Sequence, residues 1–189
     1  MTNLFNDNWQ FCEIAIDEAS MFKDGTPVIF EPGDFFDQAN SASLEYKPVS
    51  VPHDWQIFHV KELYKNSAGC YKKTFVLDDI QDSHFSVRFE GVYMNSEVWV
   101  NGKSAGQWKY GYGTFEFDIS DLVQKGENLI QVIAVYQNCN TRWYSGAGIF
   151  RDVSFTKTGK TFLAPDGTYF RARLAGGSKW DCKFSAEVC

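Results

Sequence analysis

The sequence predicts an all-β protein built as a sandwich, on three observations. Aromatic residues make up 17% of the 189 residues, with 17 Phe, 9 Tyr and 6 Trp, a composition that suits pleated, half-buried surfaces. Short runs alternate apolar and polar residues with the period of two of a strand. These runs follow one another at regular spacing with turn residues between them, and no stretch of three clean helical turns interrupts them.

In chain order, the first 45 residues are irregular, with turns at Asp24-Gly25-Thr26-Pro27 and Glu31-Pro32-Gly33-Asp34 in an acidic segment from Asp17 to Asp37. From Tyr71 onward the pattern is regular. Phe85, Val87 and Phe89 alternate with Ser86, Arg88 and Glu90, as in a half-buried strand. The stretch from Ser96 to Trp108 carries Asn101-Gly102, the dipeptide that best tolerates the two positive φ angles of a type I′ turn, and so predicts a hairpin. Thr114–Ser120 and Gly126–Asn138 supply two further strands, and Gly148–Thr156 reads as an antiparallel strand partly covered on both faces.

After Thr158 the character changes, and Lys157 to Gly167 reads as a linker. Beyond it, Thr168–Leu174 and Trp180–Val188 alternate well and are joined by Ala-Gly-Gly-Ser-Lys, as in a hairpin. The expected division is a sandwich over residues 1–157 and, over 158–189, a linker with the first strands of a second domain. A two-stranded hairpin is marginal alone, so the sequence reads as a truncated part of a longer protein.

Charge excludes one class of partner. Eighteen Lys and Arg against 24 Asp and Glu give a net charge of −6, and no basic block offers a footprint for phosphate backbones, so nucleic acid is not expected. No apolar run approaches the length of a membrane span, and the opening MTNLFNDNWQ lacks the features of a signal peptide, so the expected location is cytoplasmic. The five cysteines, Cys12, Cys70, Cys139, Cys182 and Cys189, include no C-x-x-C pair and are expected to be free thiols.

Familiar catalytic motifs are absent. His53, His59 and His84 belong to no metal-binding spacing, no G-x-S-x-G elbow occurs, and the glycines near Trp108 lack the phosphate-loop spacing, so no metal or cofactor is expected. A glycosidase mechanism needs two facing carboxylates, which spacing alone does not reveal among the 24 present. What remains is a concentration of amide, arginine and aromatic side chains in expected loops: Asn66, the group Trp108, Tyr110 and Tyr112, and the group Arg142, Trp143 and Tyr144. Aromatic faces beside amides suit a sugar, whose C–H faces stack while its hydroxyls pair; equally, such rings can complete a core at the sandwich ends.

Five segments then stand in a telling order: VPHDWQI, AGCYKKTFVL, FEGVYMNSEVWVNGKSAGQ, YGTFEFDISDLVQKGENLIQV and RWYSGAGIFRDVSF. Together, from about Phe5 to Phe155, they resemble the N-terminal sugar-binding domain of family 2 glycoside hydrolases, most closely that of bacterial β-galactosidases. The resemblance implies a jelly-roll β-sandwich, like a galactose-binding domain, followed by an immunoglobulin-like domain and then a barrel holding two catalytic glutamates. This chain would then contain no catalytic residue and be inactive alone, its partners being a β-galactoside and the downstream barrel, and the resemblance allows a homo-oligomeric parent.

The resemblance also implies the substrate-binding residues: Asn66, Asn140, Arg142, Trp143 and Tyr144. Asn66 precedes AGCY, where β-galactosidases often carry a sugar-binding Asn. Asn140 and Thr141 stand where some members hold an Asp that binds sugar and sodium, so sodium is not carried over. The alternatives are the same domain of a β-glucuronidase or β-mannosidase, a stand-alone carbohydrate-binding module, or a scaffold that only braces the barrel. The WKYGYG loop departs from relatives, which often have His and Gly there.

Overall fold

The computed structural model describes residues 1–58, 60–138, 141 and 143–189. Strands β1 (Thr2–Leu4) and β2 (Trp9–Ala15) open the chain, and β3 (Phe22–Lys23) pairs with β4 (Thr26–Pro27) in a small ribbon. A 3-10 turn at Pro32–Phe35 runs into one helical turn, α1 (Phe36–Ala39), before β5 (Lys47–Val49). The long β6 (Ser67–Leu77), β7 (Ser83–Phe89) and the short β8 (Val92–Tyr93) come next. They are followed by β9 (Ser96–Val100), β10 (Lys103–Trp108), β11 (Phe115–Asp118) and the long β12 (Gly126–Tyr136). β13 (Gly148–Ile149), β14 (Val153–Gly159), β15 (Leu163–Gly176) and β16 (Lys179–Val188) complete the chain.

Two antiparallel sheets pack into a sandwich. One has the order β1-β14-β7-β11, the other β10-β9-β12-β6-β2-β5. Alternation along each strand sends one set of side chains into the space between them. Phe85, Val87 and Phe89 of β7 meet Ile130, Val132 and Ala134 of β12, with Trp9, Tyr71 and Val98 in the same core. Burial of each large side chain there contributes about 1.5–3 kcal/mol. The β9–β10 hairpin turns at Asn101 and Gly102 with φ of 51° and 78°, as a type I′ turn requires.

The irregular N-terminal segment has a structural task. Phe35, Ala39, Phe36, Leu44 and Tyr46 lie over the outer face of the six-stranded sheet, against Cys12, Cys70, Trp99 and Ile133. That covers β12 on both faces and makes β2 a strand buried from two sides. The expected single strand over 148–156 is instead divided: β13 pairs with β8, whereas β14 pairs with β7 and β1. The break holds Phe150 against Gly91, where an added Cβ would fall 2.8 Å from the ring, and lets Asp152 accept from the side chain of Asn6 at 2.8 Å.

β15 and β16 pair only with each other among the strands. Phe170, Leu174, Trp180 and Phe184 occupy one face of this hairpin and are exposed, while Arg171, Arg173, Asp181 and Lys183 occupy the other. Cys12 and Cys70 are buried free thiols, Cys182 and Cys189 exposed ones; Cys139 lies outside the described residues. Among the described residues no helix is long and apolar enough to cross a membrane.

Candidate functional site

One end of the sandwich gathers the loops that the sequence singles out. The loop between β5 and β6 and the loop between β12 and β13 are zipped together by backbone bonds, His53 N–H to Ile149 O at 2.7 Å and Trp55 N–H to Ala147 O at 3.1 Å. Close approach here depends on glycine. An added Cβ at Gly148, whose φ is +121°, would fall 2.4 Å from the Tyr71 hydroxyl and 2.6 Å from His53 O.

Asp54 braces the junction. Its Oδ1 accepts the N–H groups of Gln56 and Ile57 at 3.0 and 3.2 Å and the hydroxyl of Tyr144, and its Oδ2 accepts Ala147 N–H at 3.2 Å. Burial, and then the bond to Asp54, push the Tyr144 hydroxyl well above the usual tyrosine range. Tyr136 stands beside it with ring centroids 6.1 Å apart and donates to Leu63 O at 2.9 Å; burial pushes its hydroxyl up to about 12. His53 pairs through Nδ1 with the Tyr71 hydroxyl at 2.9 Å. Burial lowers its affinity for a proton, opposed in part by Asp54.

Asn66 is half-buried at the start of β6. Its Oδ1 accepts Asn138 N–H at 2.7 Å and its backbone carbonyl accepts Ile16 N–H at 3.0 Å, while its Nδ2 has no partner among the described residues. An amide so held presents a donor at a fixed place. Trp143 is 68% exposed, and its carbonyl accepts from the Ser145 hydroxyl at 3.3 Å. Tyr144 is turned inward to Asp54 and acts as a brace for the loop that carries Trp143. Asn140 and Arg142 lie outside the described residues.

The WKYGYG loop adjoins this end. Trp108 packs on the core, stacked against Phe115 at 5.5 Å, whereas Tyr110 and Tyr112 are exposed. The Tyr112 hydroxyl donates to Ser145 O at 2.9 Å, which ties the loop to that of Trp143. On the other side Gln137 holds the segment after β4, donating to Val28 O at 2.5 Å and accepting Phe30 N–H at 3.1 Å, and a recess of about 310 Å³ opens between them. Ile57, Phe58, Val60 and Tyr64 of the β5–β6 loop are also exposed, with Phe58 at 80%.

Sequence reasoning missed the cross-loop role of Asp54, and missed Tyr136 and Gln56, whose side-chain amide donates to Lys65 O at 2.6 Å. An acidic residue set between Pro52 and the buried Trp55 was the one local signal. Among the described residues no group of three or more His, Cys, Asp or Glu side chains is placed to hold a metal. The end can present an amide donor and aromatic faces, a combination that recognises hydroxyls and C–H faces.

Comparisons with known proteins agree with this architecture. The model of the family described as "Glycosyl hydrolases family 2, sugar binding domain" matches residues 4–159. The chain is 35% identical over 145 residues to the β-galactosidase BoGH2A of Bacteroides ovatus, covering 70% of this chain and 17% of that protein. It is 29% identical over 196 residues to a putative β-glucuronidase of Formosa agariphila, covering 97% of this chain and 17% of that protein. A solved glycosyl hydrolase family 2 structure from Bacteroides cellulosilyticus superposes with a TM-score of 0.77 at 26% identity, covering 99% of this chain and 24% of the other. The chain thus spans about a sixth of the length of these curated relatives. With a sandwich of this topology and a match that runs through both sheets, the chain belongs to glycosyl hydrolase family 2, as its N-terminal sugar binding domain.

Proposed function

We propose that this domain walls one side of the active site of a retaining β-galactosidase, with the two catalytic glutamates in a barrel outside these 189 residues. The observation that carries the reading is that two loops hold a fixed amide and an open aromatic face, Asn66 locked by Asn138 at 2.7 Å and the exposed ring of Trp143 on the loop that Asp54 braces through Ala147. Asn140 and Arg142 complete the substrate-facing set by their positions in the family motif. The exposed Ile57, Phe58, Val60 and Tyr64 supply an apolar surface of the kind that another domain covers. The hairpin of β15 and β16 is the opening of the immunoglobulin-like domain between the two.

β-Galactosides are favoured by the likeness to the Bacteroides ovatus enzyme at 35% identity. A β-glucuronidase is the second reading, favoured by the putative β-glucuronidase of Formosa agariphila, which matches over 97% of this chain.

The test is an assay of the 189-residue chain and of the complete gene product on nitrophenyl β-galactoside and β-glucuronide. The expected result is no turnover by the chain, since on this reading the paired carboxylates belong to the barrel, and preference of the complete protein for the galactoside. Turnover that tracks with the isolated chain would overturn the division of labour, and preference for the glucuronide would select the second reading. Calorimetry giving the isolated chain a Kd for galactose well below about 1 mM would instead mark a self-sufficient binding module.

A further inference from the structure

The outer face of the four-stranded sheet lies away from the loops described above. Alternation that sends Phe85, Val87 and Phe89 inward sends His84, Ser86 and Arg88 outward, beside Ser154, Thr156 and Thr158 of β14. The chain after β14 crosses back over this face, and its residues Phe162, Leu163 and Pro165 roof a groove of about 410 Å³. That volume is within the range of small-ligand sites.

The polar groups in the groove have unused capacity. Thr158 and His84 stand directly opposite each other in the β14–β7 register. The His84 Nε2 engages Asp118 at 3.3 Å, which leaves Nδ1 as the ring's other polar atom, facing the groove side of the sheet with Thr158. Both His84 Nδ1 and Thr158 Oγ1 are buried without a partner among the described residues. Phe162, stacked on His84 at 4.1 Å and 25°, covers that place. Leaving such atoms unpaired is unfavourable, and a guest hydroxyl, which both donates and accepts, would relieve both.

The roof is fastened lightly. Phe162 and Leu163 are paired through backbone with Cys189 and Val188 of the same hairpin, and besides the Phe162 stack the roof is tied to the sandwich by Asp166 on Arg88 at 3.1 Å and Lys160 on Asp82 at 2.5 Å, with the Asp166, Lys160 and Asp82 side chains 80%, 76% and 66% exposed. Exposed pairs of this kind contribute little, so residues 160–166 can lift together with the β15–β16 hairpin at small cost.

Charge selects the guest. Glu116 holds Arg88 at 3.3 Å from the sandwich itself, and Asp166 adds a second carboxylate at 3.1 Å when the cover is down, so the closed groove offers no spare arginine to an anionic ligand. We propose that this groove is a second binding site, taking a neutral polyhydroxylated molecule of monosaccharide size, with residues 160–166 as its cover. It stands independently of the function proposed for the loop end.

The isotope-labelled chain is titrated with D-galactose, D-glucose and D-glucuronate while the ring nitrogens of His84 and the amides of 160–166 are followed by NMR. The expected result is a saturable shift of His84 with the neutral sugars and not with glucuronate. Binding should weaken about tenfold in Thr158→Val, a change of 1.36 kcal/mol. Melting of each variant controls for folding, and Ser154→Ala serves as the second variant, expected to weaken binding in the same direction. No saturable shift with either neutral sugar, unchanged affinity in both variants, or equal binding of glucuronate would each overturn the proposal.

Discussion

Tyr144 donates its hydroxyl to the same oxygen of Asp54 that accepts the N–H groups of Gln56 and Ile57, joining two loops 90 residues apart. The other oxygen accepts Ala147 N–H at 3.2 Å. Asp54→Ala leaves one hydroxyl and three backbone donors without this partner. Unfolding in urea should show a loss of about 2–4 kcal/mol, in the range for breaking a partly buried network. A loss below about 0.5 kcal/mol, the size of an ordinary surface change, would contradict the bracing role.

Gly148 and Gly102 both have positive φ, +121° and +78°, but differ in surroundings. A Cβ at Gly148 meets the Tyr71 hydroxyl and the His53 carbonyl, whereas at Gly102 nothing lies within 4 Å. Gly102→Ala should therefore cost about 1 kcal/mol from backbone strain alone. Gly148→Ala should cost about 3 kcal/mol or more, because backbone must also move. Equal costs in paired denaturation curves would show that the two loops are not held in contact.

Alkali should destabilise the fold. Burial raises Tyr71, Tyr46 and Tyr144 above the usual tyrosine range, and raises Tyr136 and Cys70 each to about 12. Above the unfolded values of about 8.5 for Cys and 10 for Tyr, the unfolded chain loses protons that the folded one keeps, so stability falls as pH rises. The stabilisation is full below about pH 8.5 and is lost progressively as pH rises through 12. Urea midpoints that stay constant from pH 8 to 11 would contradict the buried, protonated state of these groups.

Removal of residues 160–189 should leave the sandwich folded, since β15 and β16 pair only with each other among the strands. Circular dichroism of the 1–159 chain should show a cooperative transition within a few degrees of the parent, as expected when about 1 kcal/mol or less is lost. A chain that fails to fold would show that the groove's roof is part of the core instead of a light cover.

Much of the sandwich was legible because its strands alternate on a single buried face. Phe85, Val87 and Phe89 announce β7, and Asn101-Gly102 fixes the hairpin. β2 was not legible. Trp9 and Phe11 join the inter-sheet core while Cys12 and Ile14 join the cluster under the N-terminal segment, so burial on both faces erases the period. The residues that cover it, 30–46, pack as coil and short turns and carry no periodic signal. Among the proposed site residues, Asn66 and Trp143 stand out in the sequence by type and motif. Their supports did not, because Asp54 and Tyr144, or Tyr136 and Leu63, meet only through the fold.

The central claim is that Asn66 faces substrate. It is tested most directly by kcat/KM of Asn66→Ala in the complete gene product on a β-galactoside, expressed per folded molecule. Loss of the Asn138 contact should lower stability by about 1 kcal/mol, which the correction for folded fraction removes. The account predicts a further fall of about five- to 150-fold in kcat/KM, the equivalent of about 1–3 kcal/mol for an unpaired sugar hydroxyl. An unchanged kcat/KM per folded molecule, with only the melting temperature lowered, would contradict it and leave Asn66 as a brace for Asn138.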